Sequence, residues 1–286
     1  MSYSTGSQVK NLVLDANSRI SLSNNDAGAS NTVFGYQAGN QLLSGIDGNT
    51  FIGHQVADAV LTTAADYNTG VGFTALGALT TGANNTAIGA ASQVLNSTGF
   101  YNTSVGNNAL ENNTGQDFNT GIGWSAGNYT QGGNNTYVGY SAGKGTAGAE
   151  ANNVGVGSNA LLDVTTGAQN VALGYRTLPN ITTGDFNIGI GIDALFTETV
   201  GNSSTAIGIG SLYTQAVGSD ATSFNTAVGY QSGYTNSAGT GNTWFGYSAG
   251  YGGTGNNSNN VGVGYNALLA VTTGGYNIAI GKDAGK

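Results

Sequence analysis

Asn85-Thr86-Ala87-Ile88-Gly89 returns as Asn102-Thr103-Ser104-Val105-Gly106 and again as Asn119-Thr120-Gly121-Ile122-Gly123, each time after 17 residues. Working outward in both directions, the same Asn-Thr-x-Φ-Gly unit, with Φ apolar, runs from Asn31-Thr-Val-Phe-Gly35 to Asn277-Ile-Ala-Ile-Gly281. Fifteen copies recur at a mean spacing of about 17.6 residues. Self-similarity at such a period marks a repeat architecture, in which each unit stacks on its neighbours. Counting the motif Asn as position 0 of each coil, the Φ residue stands at +3 and the glycine at +4.

The +3 column reads Phe34, Ile52, Val71, Ile88, Val105, Ile122, Val138, Val156, Leu173, Ile190, Ile207, Val228, Phe245, Val263 and Ile280. Every entry is large and apolar, and most are β-branched, which suits a pleated surface. A column that never turns polar is expected to face inward, as the core. The Asn at position 0 recurs in fourteen copies, with Ser204 the exception. Stacked amides form hydrogen-bonded ladders, so this column is expected to be structural. The glycine suits a bend or a close backbone approach, and the small residue at +7, such as Ala75, Ala109 or Ala160, suits close packing. Segments such as Thr165-Thr-Gly167 and Thr182-Thr-Gly184 carry turn chemistry. The expected fold is all-β: a parallel β-solenoid (β-roll) of about fifteen 17–18-residue coils over 31–286, preceded by a segment, 1–30, without the motif.

Composition agrees with a rod more than with a globule. Charged residues make up 7%, with 50 glycines and one proline among the 286 residues. Six basic against fourteen acidic side chains give a net charge of −8, and no Lys/Arg cluster offers a footprint for nucleic acid. Without cysteine there are neither disulfides nor thiolate metal sites. No run of about eighteen apolar residues predicts membrane insertion, and Met1 to Lys10 lacks a signal-peptide pattern.

Each coil supplies one Φ residue, sometimes joined by Leu76, Leu110, Leu161, Leu178, Leu195, Leu212 or Leu268 at +8. Burying a Val, Leu or Ile gains roughly 1.5–3 kcal/mol, whereas ordering backbone costs about 1–2 kcal/mol per residue. Further burial against partner chains is therefore expected, as a homotrimer. The Asn-Thr-Ala-Ile-Gly89, Asn-Thr-Ser-Val-Gly106 and Asn-Thr-Ala-Val-Gly229 motifs resemble the head repeats of trimeric autotransporter adhesins (YadA-like heads), whose family implies trimeric parallel β-rolls. The spacers Ala160 to Gly167 and Ala267 to Gly274, with Ser18 to Asp26, are closer to tail-fibre proteins of marine bacterial viruses. That resemblance implies a virion location and attachment of 1–30, as cap or joint, to other fibre or virion proteins. The signal peptide, coiled-coil stalk and membrane barrel of the adhesins find no counterpart in the sequence, so the viral reading leads and the cell-surface adhesin head is the alternative. The chain stops inside a motif at Lys286, from which a removed trailing domain or a truncation is expected.

No convergent acids, bases or nucleophiles stand out, and neither an enzyme nor a cofactor nor a metal site is expected. His54, the one histidine, sits in the +5 column with Tyr36, Phe73, Trp124 and Tyr140 and reads as a repeat variant. Asp117 and Asp185, two residues before a motif Asn, read as turn caps. Candidate receptor contacts are aromatic: Phe51, Tyr137 and Trp244 at +2, and Trp124, Tyr140, Tyr230 and Tyr247 at +5, which could stack on the sugars of a host surface glycan or pack between coils or chains. A third function, ice binding, rests on the Thr at +1, whose column is broken by Val154, Val171, Ile188, Val261 and Ile278. Within 1–30, Val9 to Asp15 and Arg19 to Ser23 alternate apolar and polar side chains around Asp15-Ala-Asn-Ser18, which reads as two short strands joined by a turn.

Overall fold

A computed structural model describes residues 18–21, 30–62, 64–146, 148–218, 222–252, 255, 257–272 and 274–286. Among these the chain is all-β, a single sheet of strands in sequence order, from β1 (Ser18–Ser21) and β2 (Thr32–Tyr36) through fourteen three-residue strands, β3 (Thr50–Ile52) to β16 (Ile278–Ile280). From β2 onward each strand pairs in parallel with the next, in the register of the repeat: Thr86 faces Thr103, Ala87 faces Ser104, and Ile88 faces Val105. Fifteen parallel strands thus make a β-solenoid of about fourteen turns. β1 pairs antiparallel with β2, Ile20 opposite Phe34, and so occupies the edge of the first coil. It overlaps the expected Arg19–Ser23 segment, while Val9 to Asp15 lies outside the described residues.

The Asn ladder is present and buried. The Asn68 backbone N–H donates to Asn49 Oδ1 (2.7 Å), that of Asn85 to Asn68 Oδ1 (3.0 Å) and that of Asn102 to Asn85 Oδ1 (2.9 Å). Along the ladder Nδ2 reaches a turn carbonyl late in its own coil, as Asn85 Nδ2 does to Gly99 O (2.7 Å). Every amide thereby satisfies buried backbone groups that would otherwise be costly. Where Ser204 interrupts the ladder, Gln215 takes over: its Nε2 donates to Ser204 Oγ (2.8 Å) and Glu198 Oε2 (2.9 Å), and its Oε1 accepts from Asn225 Nδ2 (2.9 Å). The buried Glu198 accepts three further bonds through Oε1, from the backbone N–H groups of Thr199, Val200 and Gly201.

The +3 column is not the core, contrary to the sequence expectation. Phe34, Ile52, Ile88, Ile122, Leu173, Phe245 and Ile280 are exposed, Ile122 at 39%, and the remaining members are half-buried. Strand side chains alternate, so an inward Asn at position 0 obliges +2 to point inward and +1 and +3 to point outward. The buried strand position is accordingly +2, in all fifteen coils. Its residues range from Gly to Trp because neighbours compensate in volume. A Cβ on Gly155 would meet the Tyr137 ring at 3.1 Å, and one on Gly262 would meet the Trp244 ring at 2.9 Å. At +8 the leucines are buried as expected, but the Tyr137 and Trp244 coils carry Gly143 and Gly250 there, where a Cβ would clash with the ring at 2.2 and 2.3 Å. Large +2 side chains and missing +8 side chains are two halves of one packing solution.

The motif glycine performs the close approach its type suggests. Gly106 has φ +138°, and a Cβ there would stand 2.4 Å from the carbonyl oxygen of Gly123 on the next coil. The Thr turns form hydroxyl ladders, with Thr165 Oγ1 donating to Thr182 O (2.9 Å) and Thr182 Oγ1 to Thr199 O (3.0 Å). Asp117 and Asp185 act between coils, not within their own turns: each accepts from a backbone N–H one coil earlier, Phe100 and Ala168 respectively, at 2.7 Å.

Candidate functional site

The outward residues of each strand make a continuous stripe. Positions +1 and +3 contribute Thr or Val/Ile and the apolar Φ side chain, the +5 column adds aromatic rings, and position −1 adds Tyr67, Tyr101, Phe118, Phe186, Phe224 and Tyr276, all exposed. These six aromatics sit in left-handed backbone, with φ between 48° and 63°. A bulky side chain is uncommon there. With coils about 4.8 Å apart the stripe is roughly 70 Å long. The apolar +3 column runs along this whole length, and the flanking aromatics and the Val and Ile residues at +1 widen it.

The candidate receptor contacts divide into two groups. Phe51, Tyr137 and Trp244 are fully buried in the solenoid interior, so they are core residues and not surface contacts. Trp124, Tyr140, Tyr230 and Tyr247 are exposed, but they stack in register: Trp124 on Tyr140 at 4.9 Å between centroids, Tyr230 on Tyr247 at 5.3 Å, and Tyr247 on Tyr265 at 5.0 Å, with interplanar angles of 8–13°. A ladder of parallel rings turns its faces to its own neighbours and its edges outward. Sugar stacking needs an open face. Tyr247 has a ring on each face, whereas Trp124, Tyr140 and Tyr230 each stack on a ring on one face alone. His54 is a rung of the same kind, between Tyr36 (4.9 Å) and Phe73 (5.2 Å).

A second aromatic ladder lies past the bend, at +9: Phe196, Tyr213, Tyr234 and Tyr251, 4.9–5.2 Å apart. Arg176 caps its Phe196 end, its guanidinium 5.0 Å from that ring while paired through two bonds to Asp193 (2.9 and 2.8 Å). Nothing in the sequence reading singled this ladder out, although the spacing of Tyr213, Tyr234 and Tyr251 follows the Asn column at a fixed offset of nine residues.

On the same limb the regular pattern breaks between Lys144 and Glu150. Position +11 is buried in the flanking coils, as Thr130 and Val164, yet Thr146 is exposed. Gly145 has φ +58°, and here lies a cleft of about 380 Å³ lined by Tyr129, Lys144, Gly145, Thr146, Leu162 and Asp163. Further along the same coil Glu150 is buried, at 1% exposure. Its Oε2, the Tyr137 hydroxyl and Thr130 Oγ1 are all buried without a hydrogen-bond partner. Burial pushes the Glu150 carboxyl up to about 8, and burial beside Glu150 raises the Tyr137 hydroxyl well above its ordinary range.

Among the described residues no group of three or more His, Cys, Asp or Glu side chains could hold a metal ion, and no helix is long and apolar enough to cross a membrane. Comparison of the chain with protein-family models, curated proteins and solved structures finds no match.

Proposed function

We propose that this chain is a non-enzymatic structural segment of a viral tail fibre, assembled as a homotrimer and able to contact a glycan on the host surface. One observation carries the reading: the +3 column, apolar in all fifteen coils, points out of the solenoid. An apolar stripe of this length in water favours burial against further copies of itself. Three stripes converging on one axis give closed symmetry and a stiff rod, and the choice of three rests on the repeat resemblance. Within such an assembly the −1 and +5 aromatics pack near the stripe, while the +9 limb remains available to a receptor. Residues 1–30 join the rod to other fibre or virion proteins.

The stripe disfavours ice binding. A flat array of Thr is what such a surface requires, and here exposed rings at −1 and +5 flank the column on an irregular schedule. The functional test is adsorption: fluorescently labelled chain is mixed with candidate marine bacterial hosts before and after periodate oxidation of surface sugars. Saturable binding that oxidation removes is expected. Thermal hysteresis in the purified protein, or no adsorption to any host that a fibre-bearing virus infects, contradicts the proposal.

A further inference from the structure

We propose that the cleft between Tyr129 and Asp163 is a binding subsite for a carboxylated pyranose, resting on the host-glycan reading above. Elsewhere on this solenoid a ring on one coil meets a ring on the next at 4.9–5.3 Å. Tyr129 stands at +10 of its coil, and the next two coils place Gly145 and Asp163 at the same position. Among the described residues Tyr129 stacks on no other ring, and at Gly145 a Cβ would stand 2.5 Å from the Val164 carbonyl oxygen, so that coil offers Tyr129 no side chain to stack on. Two coil spacings, about 10 Å, separate the Tyr129 and Asp163 levels. A saturated six-membered ring occupies one rung of that space, its C–H face against the open Tyr129 face.

The polar groups lining the cleft fit such a ligand. Lys144, one of six cationic residues in the chain, forms no ion pair among the described residues, and neither does Asp163, although both line the cleft. An unpaired ammonium lining the same cleft as an aromatic ring suits a ligand carboxylate. An unpaired carboxylate on the far side accepts from ring hydroxyls, with Thr146 Oγ1 able to donate or accept. Leu162 adds apolar floor. None of the lining residues belongs to the −1, +1, +3 or +5 columns, so trimerisation through the stripe leaves the cleft open.

The test uses the full chain with methyl β-D-glucuronide and methyl β-D-glucoside as probes, followed by saturation-transfer NMR and titration of the protein resonances. The glucuronide is expected to bind and the neutral glucoside to bind at least about tenfold more weakly, the loss of one charge-assisted contact. Lys144→Gln should remove that preference, Asp163→Asn should weaken both sugars, Tyr129→Ala should abolish binding, and Tyr129→Phe should preserve it. Unchanged circular dichroism of these surface variants keeps a folding defect from passing as lost binding. Equal binding of the two sugars, binding by neither, or binding indifferent to Lys144→Gln and Tyr129→Ala overturns the assignment. The adsorption assay separates the two proposals. Sugar-dependent adsorption that survives both variants refutes the cleft alone, whereas Lys144-dependent glucuronide binding without adsorption to cells refutes the host-glycan role alone.

Discussion

Glu150 makes the middle of the rod sensitive to pH, in a direction opposite to ordinary acid denaturation. Its carboxyl is 1% exposed, Oε2 has no hydrogen-bond partner, and the titratable group facing it, Tyr137, stays neutral because burial raises it too. The folded-state value of about 8 lies above the ordinary 4.5. Below 4.5 both folded and unfolded chains hold the proton, and the site costs nothing. Between 4.5 and 8 the unfolded chain releases the proton while the folded chain keeps it, so stability falls as pH rises; above 8 it levels off. At 1.36 kcal/mol per unit, 3.5 units give up to about 5 kcal/mol. In a stacked solenoid the loss is local, felt first by the coils from Gln131 to Asn153. Urea unfolding and amide exchange, corrected for intrinsic rates, should be measured at pH 5, 7 and 9 for wild type and Glu150→Gln. The variant is expected to be flat across the range and to exceed wild type at pH 9 by several kcal/mol in that segment. Parallel pH profiles for the two proteins would refute the reasoning.

Two further substitutions test the stacking itself. Gly106→Ala places a Cβ 2.4 Å from the Gly123 carbonyl oxygen in a backbone region that L-residues avoid, and should cost at least about 3 kcal/mol with exchange rising in the coils on either side. Asn102→Ala orphans the Asn119 N–H and the Gln116 carbonyl, which it holds at 2.9 and 2.7 Å, and should cost about 2–4 kcal/mol by urea titration.

The repeat period, the parallel stacking, the Asn ladder and the glycine approach were all legible in the sequence, because each demands the same residue type at the same place in every coil. The inside and outside of the strand were not. Uniform apolarity at +3 reads as burial in the coil, while the large +2 residues Phe51, Tyr137 and Trp244 read equally as receptor contacts or as packing between coils or chains. The needed signal was the ladder itself: an inward Asn fixes +2 as inward by alternation, and Gly143 and Gly250 at +8 mark where Tyr137 and Trp244 fill the interior. The aromatic columns were visible as columns, but whether rings show faces or edges depends on coil spacing. The Lys144–Glu150 cleft was hidden for the opposite reason, since it exists where the repeat fails and no pattern announces it.

With +3 outward, Ile122 changes meaning. Ile122→Asp puts a carboxylate on the surface of one chain but in the shared interior of a trimer, where an unpaired charge is costly. The decisive measurement is the molar mass of both proteins at micromolar concentration by multi-angle light scattering, with circular dichroism alongside. The account predicts three times the 28.5 kDa chain mass for wild type and a smaller, still β-rich species for Ile122→Asp. A wild-type chain that stays folded at 28.5 kDa, its apolar stripe open to water, would contradict it.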